Sequence, residues 1–258
     1  MERNILLTIE YDGSEFSGWQ RQPDRTTVQG TLEEVLSRAM GREVLINGTS
    51  RTDAGVHALG QRASFKGDFG IPTEKIKPVV NSLLAGRSGG IAKMGRVGAI
   101  RIVDVEEKDP EFHARFDSRG KMYRYIIRNS EYVDIFSRKY SYQITEPLDV
   151  DAMNEAAAYI VGTHDFACFQ AAGGNERETT VRTIYSLDVK RQGENVILEV
   201  SGDGFLYNMV RIITGTLVEV GLGIKKAAEL EEIVAGADRR KAGHTAPPNG
   251  LYLVEVYY

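Results

Sequence analysis

VLINGTSRTDAGVHALGQRASF, residues 44–65, is the stretch on which the reading of this chain turns. An apolar run, Val44 to Ile46, leads into a turn holding Gly48, Gly55 and Gly60, and alternation of apolar and polar residues resumes near Arg62. That pattern predicts a loop held between two strands and closely approached by a ligand or another backbone, because glycine permits positive φ and leaves room. Loops on rigid scaffolds are where chemistry tends to sit. Arg51, Thr52 and Asp53 are consecutive here, with His57 four residues on. Composition alone favours an ordinary turn in which Asp53 and Thr52 cap their own backbone.

Upstream of this loop, Ile5, Leu7 and Ile9 alternate with Leu6, Thr8 and Glu10, which predicts a strand with one buried face. YDGSEFSGWQRQPD follows as a loop carrying the sole Trp19. Val28, Leu32, Val35, Leu36 and Ala39 form a helical stripe, with Thr27 placed to cap its start and Gly41 to end it. Downstream, Pro72 and Thr73 open a second helix with Ile76, Val79, Val80 and Leu83 on its buried side. Residues 85–100 are dense in glycine and give no clear strand. VEEKDP, Val105 to Pro110, is acidic and ends in proline, which makes it the candidate boundary between halves 1–105 and 106–258.

In the second half, Tyr123, Tyr125 and Ile127 face one way along a strand and Met122, Arg124 and Ile126 the other. A helix starts after Asp149, with Leu148 and Met153 as a hydrophobic staple, and stops at Gly162. Ile184–Val189 and Asn195–Val200 are strands joined by a turn at Gln192 and Gly193. FLYNMVRIITGTLVEVG is apolar nearly all round and predicts a buried helix, followed by an amphipathic one with Ala227, Leu230, Ile233 and Val234. LYLVEVYY closes the sequence as a strand. The expected class is α+β: two similar halves, each a mainly antiparallel sheet backed by helices.

Composition narrows the function. With 42% hydrophobic and 26% charged residues, the 258-residue chain is that of an ordinary globular protein. No apolar run approaches the roughly 20 residues of a membrane span, and the start, MERNILLTIEYDG, has no signal-peptide pattern, so the expectation is a cytoplasmic protein. The four histidines are scattered, which argues against a zinc site, and Cys168 has no second cysteine to pair with. A net charge of −4 argues against an indiscriminate nucleic-acid coat but leaves room for a local basic face.

Two charge features stand out. Arg211 sits in the apolar helix between Val210 and Ile212, where a guanidinium out of water requires an anion. Either it lies on a wet stripe near Asn208 and Thr214, or it pairs with the Asp53 carboxylate and keeps that group ionised for nucleophilic chemistry. In FHARFDSRGKMYRYIIR, residues 112–128, Arg115, Arg119, Lys121, Arg124 and Arg128 interleave with Phe112, His113, Phe116, Tyr123 and Tyr125. Cations for phosphates beside rings for bases make an RNA surface, although each tyrosine alone more often serves the core.

Taken together, these stretches resemble the TruA-type tRNA pseudouridine synthases. The blocks that carry the resemblance are SRTDAGVH at 50–57, YDGSEFSGWQRQ at 11–22, FHARFDSRGKMYRYII at 112–127, FLYNMVRIITGTLVEVG at 205–221 and GLYLVEVYY at 250–258. The stretch AGRSGGIAKMGRVGAIRIV, residues 85–103, departs from the family in being longer and richer in glycine. The resemblance implies a cofactor-free, metal-free enzyme that isomerises uridine to pseudouridine at positions 38–40 of the tRNA anticodon stem-loop. It implies an RNA-binding cleft between the halves, and a homodimer across which the tRNA lies.

By the same resemblance, Asp53 matches the catalytic aspartate, Arg51 the residue that flips the target nucleotide, and Tyr123 the tyrosine that stacks on the base and is a candidate for handling its C5 proton. Arg211 matches the arginine paired with the carboxylate, and Leu251 an apolar residue under the base. His113, Arg115 and Lys121 are further candidate RNA contacts from the basic stretch. The alternatives are a structured-RNA-binding protein without chemistry and an N-glycosidase that releases uracil.

Overall fold

The first strand of the computed structural model, β1 (Arg3–Tyr11), is buried on more than the predicted face: Leu6 and Asn4 are covered as well as Ile5, Leu7 and Ile9. The buried Asn4 amide donates to the Asp109 and Phe112 carbonyl oxygens, so the polar group enters the core with partners. The structure describes residues 2–86, 98–173 and 178–258. Most of the glycine-dense stretch 85–100 therefore lies outside the described residues.

Helix α1 (Val28–Met40) begins and ends as the sequence predicts. The Thr27 hydroxyl accepts from the Gly30 N–H, and Gly41 takes the left-handed conformation at φ 68°. The apolar run at 44–46 does not become a strand, because its backbone is held by side chains of α1. Ser37 Oγ accepts the Val44 N–H, the buried Glu33 carboxylate accepts the Ile46 N–H, and the Gln29 amide donates to the Ile46 carbonyl oxygen. Pairing starts only at β2 (Asn47–Gly48), which is antiparallel to β3 (His57–Gly67).

Helix α2 (Thr73–Leu84) buries Ile76, Val80 and Leu84, whereas Val79 is exposed. Strand β4 (Ile100–Lys108) runs through the stretch where acidity suggested a boundary, and it pairs antiparallel with β1.

Farther along, β5 (Gly120–Asn129) keeps the predicted parity, with Tyr123, Tyr125 and Ile127 all buried. Strand β6 (Tyr142–Ile144) runs parallel to it. The Asp149 carboxylate caps α3 (Val150–Ala158), with Leu148 and Met153 both buried, but the helix ends four residues before Gly162, which opens β7 (Gly162–Asp165). Strands β8 (Val181–Gln192) and β9 (Asn195–Gly202) are longer than predicted, and their two-residue turn is Gly193–Glu194. Helix α4 (Met209–Gly221) is buried on nearly every side. Its Thr214 and Thr216 hydroxyls donate back to the carbonyl oxygens of Val210 and Ile212 and so enter the core satisfied. Helix α5 (Glu229–Gly236) buries Leu230, Ile233 and Val234, and β10 (Leu251–Tyr257) ends the chain.

The chain forms two compact units, Met1–Arg119 with Leu253–Tyr258, and Gly120–Tyr252, so that β10 begins in the second and ends in the first. In the first unit the strand order is β4, β1, β3, β10, with β2 on β3; in the second it is β5, β9, β8, β7, with β6 on β5. Each is a mainly antiparallel sheet, and α3 packs on α4 and β8. The class is α+β. Among the described residues no helix is long and apolar enough to cross a membrane.

Candidate active site

Asp53 stands on the turn between β2 and β3, and the residues around it are fixed one by one. The Thr49 N–H donates to the Arg62 carbonyl oxygen at 2.8 Å. Ser50 is clamped at both ends by the Gln61 amide: its N–H reaches Gln61 Oε1 at 3.3 Å and its carbonyl oxygen accepts from Nε2 at 2.7 Å. The Thr52 hydroxyl meets the Tyr11 hydroxyl at 2.7 Å in a buried contact, and its carbonyl oxygen accepts the Trp19 N–H at 3.0 Å. The Asp53 carbonyl oxygen accepts the Val56 N–H at 3.2 Å, closing the turn through Gly55 at φ 80°. His57 is buried, with the Gly13 N–H 3.1 Å from its Nδ1 and Asp12 Oδ1 3.3 Å from the same nitrogen.

On this rigid footing Arg51 and Ala54 are exposed and Asp53 is half-buried. The other two glycines of the stretch serve close approach: a Cβ on Gly48 would strike the Trp19 ring, and one on Gly60 the Val254 carbonyl oxygen at 2.2 Å. Another backbone, β10, therefore makes the approach that the glycines predict at Gly60.

The same loop is tied to the basic stretch. The Thr49 hydroxyl donates to the Ala114 carbonyl oxygen at 2.9 Å, the Tyr258 hydroxyl lies 2.9 Å from both, and the Ala114 N–H donates to Ser64 Oγ at 3.2 Å. His113 and Arg115 thus flank a residue pinned beside the base of the Asp53 loop. Arg115 is exposed, its guanidinium over the ring of the exposed Phe116 at 5.7 Å. Arg124 and Arg128 are differently employed. Arg124 forms two hydrogen bonds, at 2.8 and 2.6 Å, to Glu199 on β9, and Arg128 pairs with Glu194. These two cations of the cluster already face carboxylates across the sheet.

The second unit carries Lys121, Tyr123, Arg211 and Leu251. Tyr123 is buried on β5, its ring edge-on to Phe205 at 5.1 Å between centroids. Arg211 is half-buried on α4: its Nε donates to the Ala246 carbonyl oxygen at 2.7 Å and Nη1 to Asn208 Oδ1 at 2.7 Å. Asn208 adopts the left-handed region at φ 60°, which asparagine tolerates better than most residues. Beside Arg211, burial pushes the Tyr125 hydroxyl well above its ordinary pKa against the opposing pull of the guanidinium. It stays a neutral donor to the Pro247 carbonyl oxygen at 2.7 Å. Leu251 is buried at the start of β10.

Gln61 was the readable residue that the motif hid. It shares the parity of Ala63 and Phe65 on β3, so a fully buried amide at that position had to find partners. Gln61→Leu is expected to destabilise the fold by about 2–6 kcal/mol, since two buried Ser50 backbone groups lose their partner at about 1–3 kcal/mol each. Chemical denaturation measures this; a variant as stable as the parent shows that the clamp is dispensable.

The stretches that build this loop, the Arg211 helix and the last strand are also those that a family model recognises. The model described as tRNA pseudouridine synthase matches residues 7–117 and 156–258. The chain belongs to the tRNA pseudouridine synthase family. Within that match lie Arg51, Asp53, His113, Arg115, Arg211 and Leu251, while Lys121 and Tyr123 fall between its two segments. Full-length family members span the gap. The tRNA pseudouridine synthase A of Ruminiclostridium cellulolyticum is 48% identical over 257 residues, covering 99% of this chain and 100% of that protein. Those of Brevibacillus brevis and Acetivibrio thermocellus are 47% and 44% identical over 256 residues, with the same coverage.

Proposed function

We propose that this protein is a tRNA pseudouridine synthase acting on uridines 38–40 of the anticodon stem-loop, with Asp53 as nucleophile. Membership of the family over the whole chain supports the activity. The observation that carries the residue assignment is the turn at Asp53: a half-buried carboxylate on a turn in which the Ser50, Thr52 and Asp53 carbonyl oxygens each accept a hydrogen bond. Such pre-organisation is what a nucleophile needs.

The reaction breaks the C1′–N1 bond, turns the uracil within the site, joins C1′ to C5, releases the C5 proton and returns one to N1. It is an isomerisation, so no electrons enter or leave and no co-reactant is consumed. A glycosidase uses two carboxylates and admits water. Here the base itself is the returning nucleophile, so one carboxylate suffices and water is kept out. Tyr123 stacks on the base and handles the C5 proton, and Leu251 packs beneath it. Arg211 is the cation that keeps Asp53 ionised. Arg51, exposed beside the nucleophile, holds the phosphate of the flipped nucleotide, whose extrusion costs a few kcal/mol. The enzyme works as a cytoplasmic homodimer.

Treatment of tRNA lacking pseudouridine, read as tritium release from C5-labelled uridine together with site-resolved mapping, tests this. Release at 38–40 is expected. Binding without release marks a non-catalytic RNA-binding protein, and free uracil marks an N-glycosidase.

The cation pairing on β5 refines the RNA surface. Affinity is expected to fall steeply with salt, and Arg115→Ala to flatten the plot of log affinity against log salt by about one unit. Arg124→Ala, already paired with Glu199, is expected to leave the slope unchanged. Equal effects of the two substitutions count against this division.

A further inference from the structure

The segment 242–247, between α5 and β10, lies along α4 and is fastened to it group by group. The Arg239 guanidinium donates to the Gly243 carbonyl oxygen at 2.9 Å, and the Gly243 N–H donates to Thr216 Oγ1 at 2.9 Å. The His244 carbonyl oxygen rests so close to Gly215 that a Cβ there would stand 1.9 Å from it. The Ala246 N–H donates to the Arg211 carbonyl oxygen at 3.1 Å, and the Ala246 carbonyl oxygen accepts from Arg211 Nε at 2.7 Å.

The far end is closed by Glu219, two turns and about 12 Å along α4 from Arg211. Glu219 Oε1 accepts both the His244 N–H at 2.9 Å and the ring Nδ1–H at 3.0 Å. The other ring nitrogen accepts from the Tyr142 hydroxyl at 3.3 Å, and Lys225 Nζ lies 3.6 Å from Glu219 Oε2. Burial opposes ionisation of Glu219, but the His244 ring, the His244 N–H and Lys225 together hold its carboxyl below the ordinary value.

We infer that Glu219 and His244 are positioning residues for Arg211, acting through the backbone of 242–247. The Ala246 carbonyl oxygen and Asn208 fix the plane of the guanidinium. Whatever sets the position of Ala246 therefore sets the direction in which the remaining N–H groups of Arg211 point. His244 is half-exposed and opens, with Glu219 and Tyr142, onto a cleft of about 440 Å³, so this clasp is an outer fastening rather than part of the core. Ion pairs in such places contribute little to stability. The charge geometry there acts on orientation instead. The inference rests on the reading of Arg211 as the partner of Asp53.

Single-turnover rates and tRNA affinity of Glu219→Ala, Glu219→Gln, Arg211→Met and the Arg211→Met/Glu219→Ala double variant test it. Glu219→Ala is expected to slow turnover by about 10- to 100-fold, the penalty of a misplaced reacting group, with tRNA affinity and melting temperature nearly unchanged. Glu219→Gln, which still accepts the His244 N–H, is expected to recover most of the rate. The double variant is expected to be no slower than Arg211→Met alone, because residues acting through one another are not additive. An unchanged rate in Glu219→Ala, or additive losses in the double variant, overturns the positioning role while leaving Arg211 in place. A fully active Arg211→Met sinks the reading of Arg211 and the inference with it.

Discussion

Asp53→Ala protein is expected to bind tRNA as tightly as the parent and to form no pseudouridine, a loss of at least about 10,000-fold in single-turnover rate. The size follows from the chemistry. The base rejoins the ribose in the same site, so no second carboxylate or water can stand in for the one that is removed. The variant should fold, since several ties that shape the turn do not involve the Asp53 side chain. Ser50 is held by Gln61, Thr52 by Tyr11 and Trp19, and the Asp53 carbonyl oxygen keeps its bond to the Val56 N–H. Asp53→Asn, which keeps shape but removes the charge, is expected to be equally inactive. Gel-shift affinity and tritium release from the same preparation check both halves of this expectation. Retained turnover in Asp53→Ala would falsify the assignment of the nucleophile.

The second large effect runs against helix propensity. Gly215 lies within α4, where alanine is worth about 1 kcal/mol more than glycine in an open helix. A Cβ at that position would meet the His244 carbonyl oxygen at 1.9 Å, and the obstacle is backbone rather than the end of a flexible chain. Either α4 or the segment lying on it must shift by more than an ångström. Overpacking of this kind costs about 1–3 kcal/mol or more, so the collision wins and Gly215→Ala is expected to melt at a lower temperature. Turnover should fall further than stability, because the displaced segment carries the acceptor of Arg211. Gly236→Ala in α5, where nothing lies within 4 Å, is the matched control and is expected to be neutral or slightly stabilising. A Gly215→Ala protein more stable than its parent counts against the tight seating of His244.

What could be read from the sequence was whatever side chains carry. Thr27 and Gly41 mark the ends of α1 by their own chemistry, and the parity of Tyr123, Tyr125 and Ile127 gives the inner face of β5. The SRTDAGVH loop and the isolated Arg211 were visible for the same reason. Other features were hidden because their partners are far off in sequence. Val44 to Ile46 looks like a strand until Glu33, Gln29 and Ser37 take its hydrogen bonds. Arg124 and Arg128 look available for phosphates until Glu199 on β9 and Glu194 in the turn before it arrive some 70 residues later. Least visible of all was the segment along α4, because the acceptor it offers Arg211 is a main-chain carbonyl oxygen, which every residue type possesses.

The divided last strand has a consequence for synthesis. A ribosome that has made the first 119 residues has not made the first unit, because Leu253–Tyr258, including the Tyr258 hydroxyl that touches Thr49 at the foot of the Asp53 turn, comes only after the whole second unit. The nascent chain therefore carries an open sheet edge beside β3 throughout that interval, a site for chaperone capture or mispairing, and the foot of the Asp53 turn gains its final brace only after the second unit has been made.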